Sequence, residues 1–313
     1  MPINRRKNIC PICKFNNKNY KIYLKKNFKS NLLNEYSFSS RKTPEFMNFE
    51  LIQCSKCSLI YSLNIPEFEK IYISYRDSAF VDVQDEKDAA CTYLKYLKPY
   101  FTVNSNKFLE IGAGSGYFLE LLNRLIALKK NKTPLHDKNK IKVMGIEPSK
   151  SAINNANIKI AKNLKQGVFE NMKVNPNYFD SICCFMTMEH VYHPLNVLKK
   201  SYSCLKKNGF IALVIHDVDF ILHKVLKQKS PIIDIEHLQL FSKKTIIYSL
   251  KKVGFKNIET QYIKNSYRIV YWISLLPFPK FYKSLIIKIL IILGLSNVRL
   301  SINVGNIMVV AYK

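Results

Sequence analysis

Carboxylates are scarce in this chain: 22 Asp and Glu stand against 49 Lys and Arg, a formal net charge of +27 over 313 residues. A compositional drift toward Asn, Lys, Ile and Tyr would raise Glu along with Lys, so the acid deficit is more than drift. Such a surplus points to anionic partners: nucleic acid, phospholipid headgroups, or nucleotide- and phosphate-linked substrates. The plain alternative is a scattered, solvated surface. A long Arg-rich arm is missing and the lysines are spread along the chain, which weakens the nucleic-acid reading. No uninterrupted apolar run approaches the roughly 18 residues a spanning helix needs. No apolar stretch follows the polar, basic residues 1–8, so no secretory signal is expected. The expectation is a cytoplasmic protein, peripheral attachment at the inner membrane surface remaining an option. Internal repeats and low-complexity linkers are absent as well. With 48% hydrophobic residues the chain can fill a core, which excludes disorder as the overall state.

Eight cysteines are present, four of them in two pairs, Cys10-Pro11-Ile12-Cys13 and Cys54-Ser55-Lys56-Cys57. In a reducing compartment such pairs indicate metal rather than disulfides. Four thiolates from two knuckles match a tetrahedral structural Zn²⁺ site with no ligand place open for water. Coincidental reduced cysteines are the alternative, because the pairs stand farther apart than in compact ribbons. Cys91, Cys183, Cys184 and Cys204 read as buried packing.

Beyond residue 80 the pattern alternates. A helix is expected over 85–100, ended by Pro99. Strands are expected at 107–111, 142–146, 163–166, 181–185, 210–216 and 256–263, and helices at 117–130, 149–157, 194–207 and 243–253. Pro194 suits an early helical position, and Asn208-Gly209 and Gly254 suit helix stops. Repeated strand–helix–strand units mean a parallel sheet with helices on both faces. Residues 129–142 read as a solvated Lys/Asn-rich loop, and 307–312 as a strand that returns to the sheet. Residues 269–295 are strongly apolar but broken by Pro277, Pro279 and three lysines. They read as a core or lid helix, or as an interfacial membrane helix with snorkelling lysines.

Phe108-Leu109-Glu110-Ile111 reads as a buried strand that Gly112, Ala113, Gly114, Ser115 and Gly116 turn into a helix. Glycine permits positive φ and lets a ligand lie against bare backbone. The helix start adds free N–H groups and a positive dipole end. At the carboxyl edge of a parallel sheet this is a nucleotide-type site. A dinucleotide site would have GxGxxG, but Tyr117 stands in the third glycine's place. Glu110, two residues before the first glycine, would repel a pyrophosphate and attract a cation.

S-adenosylmethionine carries a sulfonium and an ammonium and no phosphate. The stretch resembles the first motif of class I S-adenosylmethionine-dependent methyltransferases. Other segments are similar to that family in the same order: Val143-Met144-Gly145-Ile146-Glu147-Pro148-Ser149, Phe179-Asp180, Met188-Glu189-His190 with Pro194, and Leu205-Lys206-Lys207-Asn208-Gly209. Together they cover about residues 85–263. The resemblance implies an α/β, Rossmann-like fold with a seven-stranded methyltransferase sheet. It implies a cofactor cradle of Glu110, Gly112, Ala113, Gly114 and Gly116, with Glu147 on the ribose hydroxyls and Phe185 and Met186 walling the adenine. A helix-capping role for Glu147, and a plain core role for Phe185 and Met186, are the alternatives. Val168 and Phe169 are adenine pocket or core. The acid for the adenine amine is not obvious; Gln166 and Glu170 are the candidates.

A four-cysteine module ahead of this core is similar to bacterial methyltransferases encoded among surface-polysaccharide and sugar-modifying enzymes. Residues 65–75, from Ile65-Pro66 to Tyr75, fit their linker, and Asn306 stands where Asp is more usual. The expected organisation is a zinc-ribbon-like module and linker (1–80), the methyltransferase core (81–263), an apolar helical insertion (264–303) and a closing strand (304–313).

Methyl transfer is an in-line displacement at a carbon already activated by sulfonium, so alignment and exclusion of water come first. A hydroxyl acceptor, or a carbon beside a carbonyl, also needs a base. His190, His216 and His237 lie where acceptors sit, one of them as base. Against this, His190 would orient its loop with Glu189, and His237 would cap the next helix. Met186 stands where ubiquinone-type O-methyltransferases carry an acid for a divalent ion, which argues against a metal-dependent catechol mechanism. The expected acceptor is a sugar, nucleotide-sugar or lipid-linked glycan, a small-molecule or lipid-linked anionic species. An RNA methyltransferase is the runner-up, but no NPPY-type motif follows the fourth strand. A non-catalytic zinc-scaffolded binding protein is the third reading, opposed by the intact glycines and acids.

Overall fold

The computed structural model describes residues 8–39, 44–79, 83–102, 105–131 and 141–313. Three short strands come first, β1 (Lys21–Leu24), β2 (Leu51–Gln53) and β3 (Ile60–Ser62), followed by α1 (Phe68–Arg76) and α2 (Val83–Leu97). The alternating part then runs β4 (Lys107–Ile111), α3 (Tyr117–Asn131), β5 (Lys142–Glu147), α4 (Lys150–Asn154), α5 (Ile158–Ala161), β6 (Leu164–Gln166), β7 (Phe179–Phe185), α6 (Pro194–Cys204) and β8 (Leu205–His216). It continues with α7 (Ile221–Leu226), β9 (Gln239–Leu240), α8 (Lys243–Val253), β10 (Lys256–Tyr262) and β11 (Asn265–Arg268). The C-terminal part is α9 (Ile269–Ser274), α10 (Lys280–Ile292), β12 (Arg299–Ile302) and β13 (Asn306–Tyr312).

Seven strands form one sheet in the order β10-β13-β8-β7-β4-β5-β6, the Rossmann-like α/β architecture expected. The sheet is mixed rather than parallel throughout. β13 runs antiparallel to both β8 and β10, because α9, α10 and their flanking strands return the chain to the sheet from the opposite end. Between Ile211 and Ile215 every side chain of β8 is fully buried, since helices cover both faces and leave no polar side.

Several boundaries shift for local reasons. The 149–157 helix is two short helices, α4 and α5, each with its own side-chain N-cap, Ser149 and Asn157. α6 stops at Cys204, because Leu205 turns extended and enters β8. Asn208-Gly209 is therefore not a helix stop but a kink within the strand, with Asn208 at φ 64°. Gly254 does end its helix, at φ 113°, accepting the chain reversal that a side chain would resist. Of residues 129–142, 129–131 belong to α3, 141 lies beyond the helix and 142 opens β5; 132–140 lie outside the described residues. Cys183, Cys184 and Cys204 are buried as expected, but Cys91 is exposed, one helical step past buried Ala89 and Ala90.

The N-terminal strands are not a free-standing unit. β9, two residues from the alternating part, extends their sheet by pairing with β3, Ile60 opposite Leu240 and Tyr61 opposite Gln239. The four cysteines, Leu59 and Tyr61 share one apolar core with β7, β8 and α8. The apolar stretch 269–295 is no core helix. α9 and the residues up to Pro277 line a cavity, whereas α10 buries only Lys283. No helix among the described residues is long and apolar enough to cross a membrane.

Candidate active site

A cavity of about 560 Å³ opens at the carboxyl edge of the main sheet. β4 and β7 are neighbours although α3, β5, α4, α5 and β6 separate them in sequence, so the chain reverses its direction of travel across the sheet between them. A crevice forms at such a point, and ligands of open α/β sheets bind there.

The glycine turn follows β4 into this crevice. Gly112 has φ +72°, and a Cβ on it would fall 2.2 Å from Thr187 Oγ1, on the turn after β7. Gly114 has φ +55°, and its Cβ would meet Glu86 Oε1 at 2.8 Å. Two adjacent turns thus approach more closely than any side chain allows. Gly112, Ala113 and Gly114 line the cavity. Gly116 does not; a Cβ there would press on Leu164 and Ile160, so its place is in helix–strand packing.

Three buried carboxylates surround the turn. Glu110 comes from β4 and Glu147 from the end of β5. Glu147 Oε2 accepts the Gly114 N–H at 2.8 Å and Oε1 accepts the Ser149 N–H at 2.9 Å. Burial raises its pKa to about 7, opposed by those two N–H groups and reinforced by Glu86. The helix-capping alternative for Glu147 fails, since the Ser149 hydroxyl caps α4. Glu86, from α2, is the third carboxylate, and its Oε1 accepts the Ser115 N–H at 2.9 Å. Sequence reading missed it: an acid in the first turn of a helix has an ordinary explanation, and no spacing ties it to a turn 29 residues on.

Phe185, packed edge-on to Phe118 with centroids 4.7 Å apart, and Met186 both line the cavity. Met186 sits at φ 49°, a strained conformation for a side-chain-bearing residue, at the rim of the site. Val168, Phe169 and Glu170 also line it. Gln166 is exposed and outside it, its amide reaching toward Pro148 O.

The far end of the cavity gathers the three expected histidines, and a fourth. Ring centroids step from His190 to His237 (4.7 Å), to His216 (5.7 Å) and to His223 (6.3 Å). His237 Nδ1–H donates to Ile232 O at 2.8 Å, which leaves Nε2 as the lone-pair nitrogen. It caps no helix, because Ser242 caps α8. His190 Nδ1 lies 3.0 Å from the Tyr75 hydroxyl and 3.2 Å from Glu236 O, with Glu236 Oε2 at 3.8 Å. Glu189 does not orient His190. It is fully buried and accepts the His216 backbone N–H at 2.8 Å, its pKa raised to about 7 by that burial. His216 itself pairs with Asn306 Oδ1 at 2.7 Å. Burial, then His237 and His223, hold its pKa well below the usual histidine range. Tyr75, legible in the sequence only as a linker residue, donates to Glu236 O at 2.9 Å and is held neutral by burial beside Glu236 and Asp234.

No Lys or Arg lines the cavity among the described residues, although the chain holds 49 of them. Its charged walls are carboxylates.

A family model described as a methyltransferase domain matches residues 83–260, more than half of the chain.

The chain belongs to the methyltransferase-domain family.

It is an S-adenosylmethionine-dependent methyltransferase. Among solved structures, the YcgJ protein of Bacillus subtilis resembles this methyltransferase at 16% identity over 71% of this chain and 98% of that one, with a TM-score of 0.51. A likeness at that identity concerns the fold. An S-adenosylmethionine-dependent methyltransferase of Archaeoglobus fulgidus (15%, 79% and 100%, TM-score 0.48) is also similar. So is one of Thermotoga maritima, described as a possible histamine N-methyltransferase (19%, 73% and 91%, TM-score 0.47). No curated protein sequence matches the chain.

The methyltransferase also carries the expected cysteine cluster. The Sγ atoms of Cys10 and Cys57, and of Cys13 and Cys54, lie 3.5 Å apart, and all four fall within 4.8 Å of one another. The two knuckles repeat one backbone. Lys14 and Ser58, each just after the second cysteine, both have φ 63°. Their N–H groups donate to Cys10 O and Cys54 O at 3.1 and 2.9 Å.

Proposed function

We propose that this methyltransferase transfers a methyl group from S-adenosylmethionine to an uncharged group of a sugar-type acceptor, with His237 as general base. The observation that supports the reading is the charge of the cavity: carboxylate walls and, among the described residues, no Lys or Arg lining it, in a strongly basic protein. A site of that sign favours a cationic cofactor and excludes a phosphate from the interior. If the acceptor is linked to a nucleotide or lipid phosphate, the phosphate stays outside with the surface lysines.

In this reading Glu147 receives the ribose hydroxyls on the lone pairs its two backbone contacts leave over, and Glu110 and Glu86 hold the methionine ammonium and sulfonium side. Gly112, Ala113 and Gly114 give the cofactor bare backbone. Phe185, Met186, Val168 and Phe169 wall the adenine, with Glu170 rather than Gln166 near its amine. His237 Nε2 takes the acceptor proton as the methyl group arrives. His190, Tyr75 and Glu236 position that ring and the acceptor; ligand atoms of His190, Glu236 and His237 fall within 4.8 Å of one another, and the Tyr75 hydroxyl reaches His190 Nδ1 and Glu236 O. His216 is a weaker candidate: an amide, not a carboxylate, faces its Nδ1, and an imidazolium there lacks a counter-charge. Cys10, Cys13, Cys54 and Cys57 hold a structural Zn²⁺. Their sulfur spacing suits tetrahedral bonds of about 2.3 Å.

Calorimetric titration with S-adenosylmethionine, with NAD as control, tests the cofactor assignment. Micromolar binding of the first alone is expected, and NAD binding would overturn it. Screening nucleotide-sugars and free glycans in the presence of the cofactor tests the acceptor. A base-paired or single-stranded RNA as the preferred acceptor would restore the RNA reading.

A further inference from the structure

α10 inverts the usual arrangement of a surface helix. Its one buried residue is Lys283, whose Nζ donates to Ser274 O at 2.9 Å and ties the helix to α9. Its apolar residues face out. Phe281, Leu285, Ile289 and Ile292 follow one another at helical spacing on one side, Phe281 72% and Ile292 83% exposed, and Phe278 and Leu293 extend the stripe. The helix is properly terminated: Gly294 at φ +69° donates to Ile291 O and Leu295 to Leu290 O, so both closing hydrogen bonds are made. It is a finished element with an uncovered apolar side.

Charge identifies what covers it. Residues 264–303 contain six Lys and Arg and no Asp or Glu. Two copies of a chain at +27 would bring like charges together at that face. A bilayer with anionic headgroups meets both needs, apolar contact and negative charge. A helix of 13 residues spans about 20 Å, short of the roughly 30 Å hydrocarbon core, so it lies along the interface and does not cross it. Its neighbours suit that placement. Trp272 of α9, and Leu276 and Pro277 between α9 and α10, line the cavity. α7 lines it with Leu222 and Leu226 while exposing Ile221, Val225 and Lys224.

We propose that α10 is an interfacial anchor that rests on membranes bearing anionic headgroups and sets the acceptor end of the cavity against the lipid. The proposal does not depend on which acceptor is methylated.

The full chain is sedimented with phosphatidylcholine vesicles, with and without phosphatidylglycerol, beside the triple variant Phe281→Glu, Ile289→Glu, Ile292→Glu. These three side chains are exposed, so the thermal midpoint of the variant is expected to stay with the parent. Trp272 is the single tryptophan and reports on the site directly through quenching by brominated lipid. Expected are binding to the anionic vesicles, quenching of Trp272, and an apparent partition at least about tenfold weaker in the variant. No sedimentation of the parent chain overturns the proposal, as does equal binding by the variant. A parent dimer that the variant converts to monomer, with no vesicle binding, assigns the face to a second copy instead.

Discussion

The two ends of the cavity are assembled differently. At the cofactor end the glycine turn, Glu110 and Glu147 come from consecutive strand–turn–helix units, and their spacing in the sequence is their spacing in the site. At the acceptor end Tyr75, His190, His216, Glu236, His237 and Asn306 arrive from α1, the turn after β7, the end of β8, an irregular loop and the closing strand β13. Backbone geometry builds the first end; long-range packing builds the second. The first is therefore expected to tolerate damage elsewhere in the chain, and the second to fail with it.

Removing the proposed Zn²⁺ is the most severe way to test that difference. Chelation, or Cys54→Ser, is expected to abolish turnover and to lower stability by several kcal/mol, because ligand binding energy is folding energy at such a site. The N-terminal region roofs the acceptor end with Phe38, Phe68 and Tyr75, so turnover should fall much further than cofactor affinity. Equal losses of both would merge the two ends into one unit. Metal content by atomic absorption and cofactor affinity by calorimetry give the comparison.

His237→Gln follows, with kcat expected to drop by roughly 10²–10⁴-fold at unchanged cofactor affinity. The same change at His216 should cost less, since the hydrogen-bond partner of its neutral ring is the Asn306 amide rather than a carboxylate. A larger loss at His216 would move the base to that residue. Glu147→Gln acts on the other end. It should weaken S-adenosylmethionine binding by roughly 10–100-fold, the worth of a charged hydrogen-bond acceptor. In the proposed site the cofactor needs the ionised carboxylate of Glu147, whose pKa burial raises to about 7. Affinity of the parent protein should then fall up to about tenfold per pH unit as pH drops below 7, and the variant should lose that slope.

The smallest effect concerns His223, whose pKa burial lowers to about 4. As pH falls from about 6.5 to 4, the unfolded chain takes up a proton there that the folded chain refuses, so folding loses stability over that window. His223→Gln should recover on the order of 1–3 kcal/mol at pH 4.5 relative to the parent, and nothing at pH 8. Denaturant midpoints at the two pH values read the difference.

The same division governs what the sequence disclosed. The parallel core strands, the cofactor turn, Glu147 and both cysteine knuckles follow from local pattern. Each depends on period, glycine φ or ligand spacing within a few residues, so neighbours along the chain carry the whole signal. The reversal of β13, the contribution of Glu86 to the glycine turn, Tyr75 and His223 in the acceptor end, and the outward turn of α10 depend on which distant segments pack together. Even the three histidines that local reasoning singled out could be ranked only once Asn306, Ile232 O and Tyr75 stood beside them. A ring's basicity is decided by what the fold buries it against, and contacts between remote segments leave no period in the sequence.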